Sequence, residues 1–128
     1  HRADGVYHAG LHAIAIDPRR PASFGHELMH HLDHTRGPAD LSLDPLFRPL
    51  LDRYRETVDT ARMKGSDPDR WLAPTEAFAR AGEIWLRMRL GKDGGLLAPE
   101  EHYRTDWAYA PYRGRWDGIG IVFDRLFA

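Results

Sequence analysis

The fold of this chain is decided by residues 23–34, which read SFGHELMHHLDH. The glycine and proline at Gly37-Pro38 are typical of a helix end, so we predict a helix from about residue 22 to that point. Positions four apart on a helix lie nearly above one another, and His26 and His30 therefore project from the same face. This helix is the element around which the rest of the chain is expected to pack.

The residues H-E-x-x-H at 26–30 predict a metal site. Two neutral imidazoles on one helix face can bind a single Zn²⁺ at about 2.0–2.1 Å and leave room for a third ligand and a water. Glu27 cannot join the two histidines as an in-line ligand, so we assign it as the base that removes a proton from that water. The competing interpretation is a histidine-rich surface helix without a metal. The helical context favours the metal site.

The third protein ligand is predicted to be a glutamate from a later helix. The chain contains no cysteine, which excludes thiolate ligands and favours a catalytic over a structural zinc site. The metzincin pattern requires a histidine six residues after His30, and that position is Arg36. Glu76 is our first choice. Glu83 remains the alternative, because it lies on the same polar stripe and spacing alone does not separate the two.

Further polar residues are candidates for the surroundings of this site. Asp33 lies on the ligand face of the predicted helix and is suited to accept a hydrogen bond that fixes an imidazole tautomer. His34 is rotated further round the helix from His26, so we predict that it, like Asp33, lies next to the metal ligands without binding the metal. Amide hydrolysis also needs a donor that stabilises an oxyanion. The candidate donors are Tyr103, Tyr109, Tyr112 and His102, among which the sequence does not choose.

Composition indicates one soluble domain covering residues 1–128. Hydrophobic residues make up 42% and charged residues 29%, which is ordinary for a globular protein, and the net charge of −1 argues against nucleic-acid binding. No apolar run reaches the length of a membrane span. A cytoplasmic location is the default prediction, and a secreted or delivered effector is the alternative. The oligomeric state is left open.

The remaining chain predicts an α+β fold that is mainly helical, with a small sheet beside the metal helix. Short strands are expected around residues 6–7 and 11–16. Further helices are expected at 45–64, 74–90, 99–104 and 117–127. Gly82 falls inside the third helix, where glycine costs about 0.5–1 kcal/mol relative to alanine, so we expect a close packing contact there.

Three segments together resemble zincin-like metallopeptidase domains. They are HELMHHLDH at 26–34, PTEAFARAGE at 74–83, and YAPY followed by FDRLF between 109 and 127. Such domains occur in large polyvalent proteins of phages and plasmids and in bacterial polymorphic toxins. The resemblance implies a minimal zincin fold of the gluzincin type, made of an active-site helix, supporting helices and a small sheet. It also implies Zn²⁺ bound by His26, His30 and Glu76, with Glu27 catalytic.

Two functions follow from these residues. The first is a zinc-dependent peptidase, more an endopeptidase than an exopeptidase, that hydrolyses a protein or peptide lying extended beside the strand at 11–16. The second is a zincin scaffold that keeps its zinc but acts only as an accessory or interaction module within a larger protein.

Overall fold

The structure is a computed structural model that describes residues 5–8, 13–16, 23–63, 65, 67–91 and 97–128. Strands β1 (Gly5–His8) and β2 (Ala13–Ile16) precede six α-helices in these residues. The helices are α1 (Ser23–Thr35), α2 (Arg48–Thr57), α3 (Pro68–Trp71), α4 (Pro74–Leu90), α5 (Glu100–Thr105) and α6 (Trp116–Leu126). Short 3-10 helices lie at Leu41–Leu43, Thr60–Arg62 and Trp107–Tyr112. Among the described residues, no helix is long and apolar enough to cross a membrane.

The predicted α+β class was wrong: of that prediction only the mainly helical character holds, because the described residues contain no sheet beyond one pair of short strands. Helices account for most of the described residues, whereas the strands comprise four residues each and form a single antiparallel pair. Gly5 pairs with Ile16 and His8 with Ala13. Two strands are too few to form a sheet on which the helices could assemble as a second layer. The expected strands around 6–7 and at 11–16 overstated the share of β-structure in the fold; residues 11 and 12 lie outside the described part.

Helix α4 is the centre of the fold, and its predicted ends are confirmed. Pro74 lies in its first turn, where a missing N–H costs nothing, and Gly91 ends it with φ of 55°. All eight residues from 77 to 84 are buried, so this part of the helix is covered on every side. Alanines and Gly82 alternate there with larger side chains, which lets α1 and α6 approach closely.

The contact between α1 and α4 depends on Gly82, as its position in a helix interior predicted. A Cβ atom added at Gly82 would overlap the buried side chain of Met29 on α1. Gly25 makes a similar close contact from the other side, because a Cβ there would overlap Leu97. At Gly82 three successive atoms of Met29 lie in the way, so glycine is required there by close packing rather than by backbone conformation, whereas at Gly25 only a terminal methyl group of Leu97 would have to move.

Helix α2 is shorter than predicted and begins later. Asp44 does accept a hydrogen bond from the backbone of Leu46, but this bond stabilises a turn and the helix begins only at Arg48. At the other end Val58 is extended, and Asp59 then caps a separate 3-10 turn. Apolar spacing continued through this break, so periodicity alone could not reveal it.

The core beside α4 is mainly aromatic. Phe78 packs in stacked geometry on Phe123 of α6 and edge to face on Phe47. Tyr54 of α2 packs against Tyr112, and each hydroxyl donates to a backbone carbonyl, that of Ala108 and that of Ala77 respectively. Buried tyrosines are tolerated here because their polar ends have partners.

We predict that Gly82→Ala destabilises the protein although alanine favours helices. Overpacking costs about 1–3 kcal/mol, and the higher helix propensity of alanine offsets about 0.5–1 kcal/mol of that. Chemical denaturation should therefore show a lower free energy of unfolding for the variant.

The control is Gly118→Ala on the exposed side of α6, where an added Cβ meets no other atom within 4 Å. This variant should gain about 0.5–1 kcal/mol. Equal stabilisation by both substitutions would contradict the close contact between α1 and α4.

Candidate metal centre

Three potential ligand atoms converge between α1 and the first turn of α4. The Nε2 atoms of His26 and His30 lie 3.1 Å apart. Glu76 reaches both, with 3.2 Å from Oε1 to His26 Nε2 and 2.9 Å from Oε2 to His30 Nε2. These three residues form the one cluster of histidine and acidic groups in the described part of the chain that could hold a metal ion.

The spacing of these atoms fits a tetrahedral metal ion. Ligands at about 2.05 Å from a tetrahedral Zn²⁺ are separated from each other by about 3.3 Å. The observed separations are 2.9–3.2 Å, with different oxygens of Glu76 facing the two imidazoles. With one ligand atom taken from each residue, the three atoms all lie within 4.8 Å of one another, which is close enough for a single metal ion.

Both imidazoles are oriented by hydrogen bonds from their other nitrogen. His26 Nδ1 lies 2.7 Å from Glu83 Oε2, and His30 Nδ1 lies 2.9 Å from Thr75 Oγ1. An Nδ1–H that donates to these oxygens leaves the lone pair on Nε2, directed at the shared centre. This tautomer is the one that a metal ion requires from both histidines.

The electrostatics of the centre favour a positive charge between two carboxylates. Burial alone would lower the pKa of His26, but its hydrogen bonds to Glu76 and Glu83 raise that pKa from 6.5 to about 10. Burial alone would raise the pKa of Glu76, yet hydrogen bonds from His26 and His30 hold it well below its usual range. Glu76 is thus an anionic ligand candidate at neutral pH.

Glu83 is close to the centre but not among the three converging groups. It lies two turns further along α4, on the far side of the His26 ring, and is 4% exposed. Besides His26, its carboxylate accepts hydrogen bonds from the hydroxyls of Tyr103, at 3.2 Å, and Tyr109, at 2.9 and 3.0 Å. Glu83, the alternative third ligand, therefore contacts the Nδ1 atom of His26 and not the Nε2 side, where Glu76 lies.

The other predicted site residues are dispersed. Asp33 is fully buried, and its Oδ1 accepts from the backbone N–H of Ser42 at 2.6 Å instead of orienting an imidazole. His34 pairs with Asp40 at the end of α1. Tyr112 donates to the carbonyl of Ala77, while Tyr103 and Tyr109 donate to Glu83. Glu27 lies in the same turn of α1 as His26 and is partly exposed.

Thr75 and Arg80 contribute to the centre and were not predicted from sequence. Arg80 is 5% exposed, lies 3.6 Å from Glu76 Oε1, and has its guanidinium 3.9 Å from the ring centroid of Trp71. It also donates to the carbonyl of Trp71. The sequence signal for Arg80 was its position four residues after Glu76, and the signal for Thr75 was a hydroxyl adjacent to Glu76 in sequence. Both features are common on surface helices and pointed to nothing specific.

Comparisons of the chain with protein-family models, with curated proteins and with solved structures find no match. The resemblance to zincin-like domains therefore rests on the residues of this chain alone.

We predict that the protein binds one Zn²⁺ per chain through His26, His30 and Glu76. Elemental analysis of purified protein should find about one zinc per chain, and His30→Ala and Glu76→Ala should abolish tight binding. Excess Zn²⁺ should also raise the melting temperature, since a ligand at 100 times its Kd stabilises the folded state by about 2.7 kcal/mol.

Glu56→Ala is the matched control for Glu76→Ala, because Glu56 is an exposed glutamate on α2. It should bind zinc as the wild type does. Unchanged stoichiometry and affinity in Glu76→Ala would contradict the ligand set.

Proposed function

We propose that this domain is a Zn²⁺-dependent peptidase, of the zincin-like type, in which Glu27 is the general base. The observation that carries the proposal is the convergence of two imidazole nitrogens and one carboxylate within 3.2 Å of one another. Three protein ligands that leave a fourth position for water or substrate are typical of catalytic rather than structural zinc sites.

We propose zinc as the metal for these ligands. Imidazole and carboxylate together match the preferences of Zn²⁺, whereas Mg²⁺ and Ca²⁺ are bound almost entirely by oxygen. Without cysteine, the chain offers none of the soft thiolates that select Cu(I) or iron–sulfur clusters. A bound Zn²⁺ supplies Lewis acidity, which polarises a carbonyl and lowers the pKa of water.

The chain's own residues divide the remaining tasks. Glu76 balances positive charge at the centre, and Thr75 and Glu83 hold the two imidazoles in place. Glu27 accepts a proton from the attacking water at its carboxylate and delivers it to the leaving amine. Tyr103 and Tyr109 donate to Glu83, so we do not assign the oxyanion donor to either of them.

The substrate is proposed to be a protein or peptide in extended conformation. The β-hairpin contacts α1, and β2 pairs with β1 along one of its edges. In the described residues β2 has no second strand partner, so a peptide could add along its other edge, where main-chain hydrogen bonds would hold it regardless of sequence. Binding along a strand in this way favours cleavage within a chain, as in an endopeptidase.

We predict that Glu27→Gln abolishes hydrolysis while leaving zinc bound. The amide keeps the shape of the side chain but cannot accept a proton, and loss of general-base catalysis costs about 10²–10⁴-fold in rate. Cleavage of casein or of a peptide library, measured with and without a chelator, together with zinc content by elemental analysis, provides the test.

The control variant is Glu56→Gln, which makes the same chemical change on an exposed surface. It should retain full chelator-sensitive cleavage. Chelator-sensitive activity that survives in Glu27→Gln would refute the assigned base. A wild-type protein that binds zinc but cleaves nothing would instead favour the accessory-module function.

A further inference from the structure

Three hydrogen-bond donors meet on the buried carboxylate of Glu83. Its Oε2 lies 2.7 Å from His26 Nδ1 and 2.9 Å from the hydroxyl of Tyr109. Its Oε1 lies 3.2 Å from the hydroxyl of Tyr103 and 3.0 Å from that of Tyr109. A carboxylate that is 4% exposed and bonded in this way has little freedom to rotate, so the position of its oxygens is fixed by the protein.

We propose that Glu83, held by Tyr103 and Tyr109, is a positioning residue that sets the affinity of the centre for its metal. The proposal rests on the proposed function, since it requires His26 to be a ligand. Glu83 fixes the ring orientation and the tautomer of His26, and its negative charge makes the imidazole a stronger electron donor. The two tyrosines act on the metal only through Glu83.

The placement of the groups distinguishes this role from simple packing. Tyr103 comes from α5 and Tyr109 from the following 3-10 helix, and their rings meet edge to face at 5.0 Å. Both hydroxyls point to one carboxylate on α4, although a backbone carbonyl would satisfy a hydroxyl equally well. Tyr112 shows the latter arrangement, because it donates to the carbonyl of Ala77 on the same helix.

This contrast provides a matched set of variants. Tyr109→Phe removes the hydroxyl that lies within hydrogen-bond distance of both oxygens of Glu83, and Tyr112→Phe removes a buried hydroxyl that bonds to a backbone carbonyl instead. Glu83→Gln removes the charge and keeps the volume. If the two hydroxyls contributed only to packing, Tyr109→Phe and Tyr112→Phe would change thermal stability by similar amounts. Both variants would then bind the metal with the same affinity.

The test is a competition titration with Zn²⁺ on the full chain, with the absorption spectrum of bound Co²⁺ as a second readout. Changes in groups that orient metal ligands typically weaken affinity about 10–100-fold. We expect a loss of that size in Glu83→Gln, a smaller loss with a shifted Co²⁺ spectrum in Tyr109→Phe, and wild-type affinity in Tyr112→Phe.

The outcomes separate this proposal from the proposed function. Wild-type affinity and an unchanged spectrum in both Glu83→Gln and Tyr109→Phe would overturn the positioning role while leaving the zinc site intact. If Glu83→Gln does not fold, Tyr109→Phe compared with Tyr112→Phe decides, and equal affinities would overturn the proposal. A wild-type protein that binds neither Zn²⁺ nor Co²⁺ would reject both this inference and the ligand set on which it depends.

Discussion

The close contact between α1 and α4 is the constraint on which the rest of the structure depends. Met29 fills the space that a side chain at position 82 would occupy, and this brings the histidines of α1 against one face of α4. Within the described part of the chain, the hydrogen bonds to the two imidazole rings from outside α1 then come from α4, namely from Thr75, Glu76 and Glu83. A site built on two packed helices is positioned more precisely than one built on loops.

This arrangement requires charged side chains inside the protein, and both Arg80 and Glu83 have specific partners there. Arg80 lies over the Trp71 ring, donates to a carbonyl and approaches Glu76, while Glu83 receives three donors. An isolated buried charge would cost several kcal/mol or more. The polar network is thus a condition for folding as well as a feature of the site.

Signals from residues close together in the sequence predicted the helix ends and the helix faces, because neighbouring residues determine both. Pro74 and Gly91 fixed the ends of α4, and the spacing of His26 and His30 fixed their common face. The choice between Glu76 and Glu83 was beyond such signals, because seven residues bring a helix back to within about 20° of the same direction. Only the axial offset between α4 and α1 separates them, and that offset arises from long-range packing. The α+β class failed for a related reason: alternation indicates an extended segment but does not show whether the helices will pack on a sheet or on one another.

The two carboxylates of α4 on either side of one imidazole also define the register of the helices. Seven residues at 1.5 Å rise place Glu76 and Glu83 about 10.5 Å apart along the axis, and the ring of His26 spans the gap with one nitrogen toward each. Sliding α4 by a single turn, about 5.4 Å, would break both bonds at once. Apolar surfaces alone tolerate such slippage, whereas a buried polar group at one level does not. The two hydrogen bonds of His26 therefore select one axial alignment of α1 and α4 among those that the packing of their apolar surfaces would allow.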